Sequence, residues 1–287
     1  MTRLTLLFAV PALVFYLFVI VVPTVQGTTY AFTDWDGLSS TFSFVGLDNV
    51  VSVLTDPASL KAIINTVIIA VVFTVVQNLI GLGLALGVNS RIKSRNVLKV
   101  LLFMPTVMTP VVIGYLWQFL LAPNGPVNSA LEGIGLGSLT RAWLGDPTSA
   151  LISIIVVLIW QFSGYSMVIF LAGLQGVPEE VLEASAVDGA GPLRRFWSVT
   201  FPLLAPAVTI NLMLSIVGGL KVFDQVWVLT GGGPGNSTHT LSTLMYQDAF
   251  SFGEFGESVT LGLVLLVLVA VISIIQYRSL IGREGRN

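Results

Sequence analysis

Six stretches of this chain contain no Asp, Glu, Lys or Arg: residues 4–33, 62–90, 100–131, 147–178, 196–220 and 258–277. Each is 20 residues or longer, and a helix of about 20 apolar residues crosses the hydrocarbon core of a bilayer. The apolar positions run continuously and do not alternate, which predicts helices and not the strands of a barrel. The pattern therefore predicts six transmembrane helices, at approximately 5–27, 63–88, 98–121, 150–174, 203–226 and 258–278. The first stretch has one basic residue before it, and it runs through Val21-Val22-Pro23 to Gln26-Gly27 with no small-x-small cleavage site. It reads as a retained helix and not as a secretory signal.

Composition agrees with that pattern. Hydrophobic residues make up 54% of the 287, charged residues only 10%, and the mean hydropathy is +0.90. Soluble domains carry about a quarter charged residues. So much apolar surface exceeds what a water-soluble core of this length encloses, so the solvent is lipid. The net charge of −2 supplies no basic field for nucleic acid. With no cysteine and a single histidine, His239, disulfides, thiol nucleophiles and a histidine-built metal site are excluded.

Lys and Arg then orient the chain. A cytoplasmic N-terminus places Arg3, Arg91, Lys93, Arg95, Lys99, Arg194, Arg195, Arg278, Arg283 and Arg286 inside, leaving Lys61, Arg141 and Lys221 at the outer surface. Ten against three follows the positive-inside rule. The expectation is a multi-pass protein of the cytoplasmic (inner) membrane, with both termini in the cytoplasm and acidic outer loops. It forms a single transmembrane domain over residues 1–287, without a separate soluble domain or an internal repeat.

Few polar groups suggest chemistry. Gly231 to Gly235 lacks the Lys-Ser/Thr that a phosphate-cradling loop requires, so it reads as a structural turn. No HExxH or GxSxG occurs, and Glu179 and Glu180 sit after Pro178, where a helix N-terminus favours carboxylates. Lys221 and Asp224, three residues apart at the outer end of the fifth predicted helix, would share one face as an interfacial ion pair or as part of a polar pathway. Deep in the spans lie Thr106, Thr109 and Asn211, together with Trp160, Gln161, Gly164 and Tyr165 within two turns. Helix packing explains such groups; an aromatic–amide cluster also suits a sugar, whose apolar face stacks and whose hydroxyls need partners.

The longest polar passage, residues 178–202, carries Glu183-Ala184-Ser185, then Asp188-Gly189-Ala190, then Val199-x-Phe201-Pro202. Gly189 follows Ser185 by four residues and Val199 follows Gly189 by ten. This resembles the EAA motif of binding-protein-dependent ABC importer permeases, with Ser for the third residue, Val for Ile and Phe for Leu. Phe223-Asp224 followed by Leu229-Thr230-Gly231-Gly232-Gly233-Pro234 is similar to the sugar-transporting branch. The resemblance implies an all-α type I ABC importer transmembrane domain with a cytoplasmic coupling helix. It implies that Glu183, Ala184, Ser185, Asp188, Gly189 and Pro202 couple the chain to a cytoplasmic ATPase. ATP and Mg would sit on that ATPase and no cofactor on this chain. The partners implied are a second permease subunit, two ATPase copies, an extracytoplasmic solute-binding protein, a di- or oligosaccharide substrate and membrane lipid. The alternative is a secondary transporter driven by an ion gradient, which needs an ionisable group or a broken helix at mid-membrane; the deep parts of the predicted spans hold no ionisable group.

Overall fold

The structure, a computed structural model, describes the backbone over residues 3–90 and 92–284 and the side chains over residues 8–90 and 92–279. Of the residues that oriented the chain, Arg91 and Arg286 lie outside the described residues, and only the backbone of Arg3 and Arg283 is described. Among the described residues the fold is all-helical, apart from one isolated bridge, Thr33 to Phe44.

In order, α1 (Arg3–Tyr16) passes through a π-helical turn, Leu17–Val21, into α2 (Val22–Tyr30). After a loop come α3 (Asp48–Thr55) and α4 (Pro57–Asn89), then α5 (Arg95–Val107), α6 (Pro110–Leu120), α7 (Pro126–Gly133) and α8 (Pro147–Gln175). The polar passage forms α9 (Glu179–Val187) and α10 (Pro192–Arg195), then π-helical Phe196–Thr200 and α11 (Phe201–Leu203). The remainder is α12 (Ala205–Leu220), α13 (Asp224–Thr230), α14 (Leu241–Gln247) and α15 (Phe255–Glu284).

Local sequence sets the helix ends. α4 and α8 start with Pro at the first position behind an Asp: Asp56 accepts from Ser59 N at 2.8 Å and Asp146 from Ser149 N at 3.0 Å. That pairs a side-chain cap with a residue whose missing N–H costs nothing there. At 33 and 29 residues these helices are about 50 and 43 Å long, more than a bilayer core requires.

Among the described residues four helices are long and apolar enough to span: Phe8–Tyr30, Pro57–Asn89, Pro147–Gln175 and Phe255–Ser279. The other two predicted spans are bent pairs, and counting each pair as one span gives six. α5 and α6 meet at 97°. Pro105 and Pro110 flank the break, and Met108 and Thr109 are extended with ψ of 143° and 141°; the residue before a proline disfavours the helical region. The segment α10–α11 meets α12 at 68° around Leu204, between Pro202 and Pro206.

The fifth predicted helix, at 203–226, is also interrupted near its C-terminal end. α12 stops at Leu220, the chain leaves helical geometry at Phe223 (φ −129°, ψ −62°), and α13 starts at Asp224. Two weak helix formers, Gly218 and Gly219, precede the break. The Thr240 hydroxyl donates to the Val222 carbonyl at 3.1 Å, supplying a partner outside the helix. Lys221 and Asp224 therefore do not share a helical face, and among the described residues no ion pair joins them.

The chain divides into two compact units. One comprises residues 61–240 and 268–287, with α8 at its centre and more deeply buried than α4. One face of α8 packs Ile154 and Leu158 against Ile69 of α4 and Val226 of α13, and Met167 and Phe170 pack with Ala85 and Leu204. The other unit comprises residues 1–60 and 241–267. There the Asn49 amide donates to the carbonyls of Ala31 and Thr33 (3.1 and 2.8 Å), and the Ser52 hydroxyl donates to Glu257 at 2.7 Å. Tyr30 stacks on Trp35 with centroids 4.2 Å apart.

Candidate functional site

A cavity of about 450 Å³ opens within the larger unit. Phe73 and Gln77 of α4, Phe162 and Tyr165 of α8, and Ser215 and Gly218 of α12 line it. Thr106, Lys221, Phe223, Asp224 and Gln225 complete its polar and aromatic wall. Phe73 meets Phe162 edge to face with centroids 5.9 Å apart, and Phe223 stacks on Trp227 at 5.8 Å and 12°. Flat apolar faces beside amides, three hydroxyls and a balanced pair of charges suit a neutral, hydroxyl-rich solute.

The sequence-selected residues separate around this cavity. Thr106, Tyr165, Lys221 and Asp224 line it; Thr109, Trp160, Gln161, Gly164 and Asn211 do not. Helical periodicity splits the Trp160–Tyr165 group, since residues four apart share a face. Trp160 meets Trp117 edge to face at 5.4 Å. A Cβ on Gly164 would collide with the Leu102 carbonyl, so α5 and α8 touch backbone to backbone there.

Gln161 and Tyr165 form the other pair. Gln161 is buried behind the cavity wall: its side-chain oxygen accepts from the Gln225 amide at 2.8 Å, and its backbone carbonyl accepts from the Thr106 hydroxyl at 2.7 Å. Gln161 thereby ties α8 to α13 and to α5. Asn211 is fully buried, accepting from Ser166 at 3.2 Å on its side chain and from Ser215 at 2.7 Å on its backbone. Thr109 is exposed at the bend before α6. Sequence reasoning missed Phe73, Phe162, Phe223 and Gln225 as lining residues. Phe162 follows the selected Gln161, and Phe223 and Gln225 flank the selected Asp224, but apolar runs give no sign of which ring faces a cavity.

The polar passage builds a compact, outward-facing element. Glu183, Ala184 and Asp188 are exposed along or just after α9, whereas Ser185 is buried and donates to the Leu182 carbonyl at 2.7 Å. Gly189 has φ +76°, a conformation a side chain resists, and Ala190 N closes the turn onto Ser185 O at 3.0 Å. Val187 and Leu193 remain 87% and 74% exposed, a large apolar surface for so short an element. Pro202 is half-buried at the start of α11. In the 231–235 turn Gly231, Gly232 and Gly235 take φ of 57°, 86° and 56°, and His239 packs against Gly232.

In the smaller unit two carboxylates are shifted. Asp36 is held near pKa 2 by hydrogen bonds from the Ser39 hydroxyl (2.7 Å), Ser39 N (2.7 Å) and Leu38 N (3.0 Å). Asp248 is buried, which pushes its pKa up to about 7, with further help from the negative charges of Glu254, Glu257 and Asp56.

Comparison with known proteins decides the family. The model for binding-protein-dependent transport system inner membrane components matches residues 77–281, which include the polar passage and all of the cavity lining except Phe73. The chain belongs to that family. This permease is 35% identical over 257 residues to the multiple sugar-binding transport system permease protein MsmF of Streptococcus mutans, covering 89% of this chain and 88% of the relative. It is 32% identical over 294 residues to the diacetylchitobiose uptake system permease protein NgcF of Streptomyces coelicolor, covering 97% and 83%. Its fold matches a solved bacterial ABC transporter involved in the import of the acidic polysaccharide alginate. The TM-score is 0.84 and the identity 22%, over 97% of this chain and 96% of that one. The permease is thus a membrane-embedded transport component with the type I importer fold, not an enzyme. Membership in a binding-protein-dependent family replaces the ion-gradient alternative.

Proposed function

We propose that this permease is one of two membrane-spanning subunits of an ATP-driven importer for a di- or oligosaccharide. Solute arrives from an extracytoplasmic binding protein and passes the cavity lined by Tyr165, Thr106, Phe162 and Gln225. Two cytoplasmic ATPase subunits hold ATP and Mg; one docks on α9, and both chain termini lie on the same cytoplasmic side. The sugars named for MsmF and NgcF support a glycan substrate, and a cavity of about 450 Å³ falls within the range for small-solute sites.

The observation that carries the reading is the exposed face of α9. Glu183 and Asp188 offer carboxylates to a basic partner, Ala184 permits close approach, and Gly189 fixes the turn that joins α9 to the spans. Closure of paired ATPases would displace this element as a body and re-aim the helices that follow it. A charged hydrogen bond across such an interface is worth about 1.5–3 kcal/mol. Glu183→Ala is therefore expected to lower sugar uptake and binding-protein-stimulated ATP hydrolysis about ten-fold or more, with membrane insertion intact. Wild-type values for both would rule out a coupling role for Glu183.

A further inference from the structure

A second cavity, of about 290 Å³, lies in the larger unit where α4 and α8 end and α9 and α10 begin. Its walls are mainly apolar: Leu86 from α4, Leu174 and Val177 from the end of α8, and Phe196 behind α10. Its polar border is formed by Asn89, Thr200 and Arg195, together with two helix ends. Arg195 is half-buried there, and among the described residues it makes no ion pair with Glu179, Glu180, Glu183 or Asp188. The C-terminal ends of α4 and α8 bring carbonyl groups and the negative ends of two helix dipoles.

These features select the occupant. An unpaired guanidinium calls for a phosphate, which it binds through two parallel hydrogen bonds. Helix C-termini repel a bare anion and call for a donor cation. Apolar walls in a membrane protein call for a hydrocarbon chain. The rings of Phe196, Trp197 and Phe201 cluster beside the cavity with centroids 5.1 to 5.9 Å apart, and among them Trp197 is of the type that collects at headgroup depth.

We propose that this cavity holds a phospholipid bearing a primary ammonium headgroup, of the phosphatidylethanolamine type. Its phosphodiester lies on Arg195, its ammonium on the carbonyl ends of α4 and α8, and one acyl chain along Leu86, Leu174 and Phe196. The bound lipid fills the space behind α9 and forms part of its footing on the spans. The proposal concerns lipid binding and not transport, so its failure leaves the importer reading intact.

The full permease, with the subunits that co-purify with it, is placed in nanodiscs of phosphatidylcholine. These contain equal small fractions of phosphatidylethanolamine and phosphatidylglycerol, and native mass spectrometry counts the lipids retained after stripping. Phosphatidylethanolamine should be retained about ten-fold over phosphatidylcholine, whose quaternary ammonium has no N–H to donate. Arg195→Ala should abolish that preference, Arg195→Lys should keep part of it, and Arg194→Ala, an exposed neighbour outside the cavity, should leave it unchanged. Equal or greater retention of phosphatidylglycerol would overturn the proposal, because the site would then read negative charge alone. Unchanged preference in Arg195→Ala would overturn it too, as would displacement of the lipid by inorganic phosphate. The headgroup comparison uses the wild-type chain and so needs no variant to fold.

Discussion

At the scale of single residues, the Gln161–Gln225 amide pair is the most consequential contact around the cavity. It joins the middle of α8 to the start of α13 at 2.8 Å, with both side chains buried. Interhelical hydrogen bonds in membrane proteins are worth about 0.6 kcal/mol on average and about 1.7 at most, so the pair holds a local geometry more than it holds the fold. Gln225→Leu and Gln161→Leu should each lower the melting temperature in detergent. The double variant should lose less than the sum, with a coupling of about 1 kcal/mol. Strict additivity would mean that the two amides do not act together. Gly164 shows how far sequence can reach here. Its place between Trp160 and Tyr165 suggested a solute cluster, but the missing Cβ serves contact with Leu102. A glycine that admits a ligand and one that admits a neighbouring helix look alike in sequence.

At the scale of elements, the segment from α14 to the start of α15 carries the pH sensitivity. Asp248 titrates near 7 in the folded chain, against an ordinary 3.8. Between those values the folded protein holds a proton that the unfolded chain has released, so stability falls as pH rises through the window and levels off above it. Hydrogen-exchange protection over residues 248–258 should fall from about pH 5 to about pH 8 in the wild type. Asp248→Asn should flatten that slope; parallel slopes for the two proteins would remove Asp248 as its cause. The existence of the helices was legible because charge-free stretches long enough to span stand out in any solvent argument. Their breaks were less so. Pro105 and Pro110 mark the 97° bend, whereas the interruption at Lys221–Phe223 depends on Thr240, eighteen residues beyond the carbonyl it takes. The polar passage was legible as a spaced motif; the larger cavity was not, since its rings come from three separate segments, α4, α8 and the break at Phe223.

At the scale of the molecule, the absence of native cysteine makes topology directly testable. Val187→Cys, on the exposed face of α9, and Ser40→Cys, in the exposed loop after α2, should label from opposite sides. An impermeant maleimide on intact cells should modify the Ser40→Cys chain alone, and inverted vesicles should reverse the result. Labelling of both from one side would sink the proposed orientation. The bend at Leu204 carries a further geometric consequence. α12 has 16 residues, an arm of about 24 Å, hinged at one end beside the coupling passage and lined at the other by Ser215 and Gly218 of the cavity wall. A swing of about 10° at that elbow sweeps the far end through about 4 Å, more than the diameter of a water molecule. An arm of that length turns a small angular stroke at the elbow into a displacement of atomic dimensions at the cavity wall.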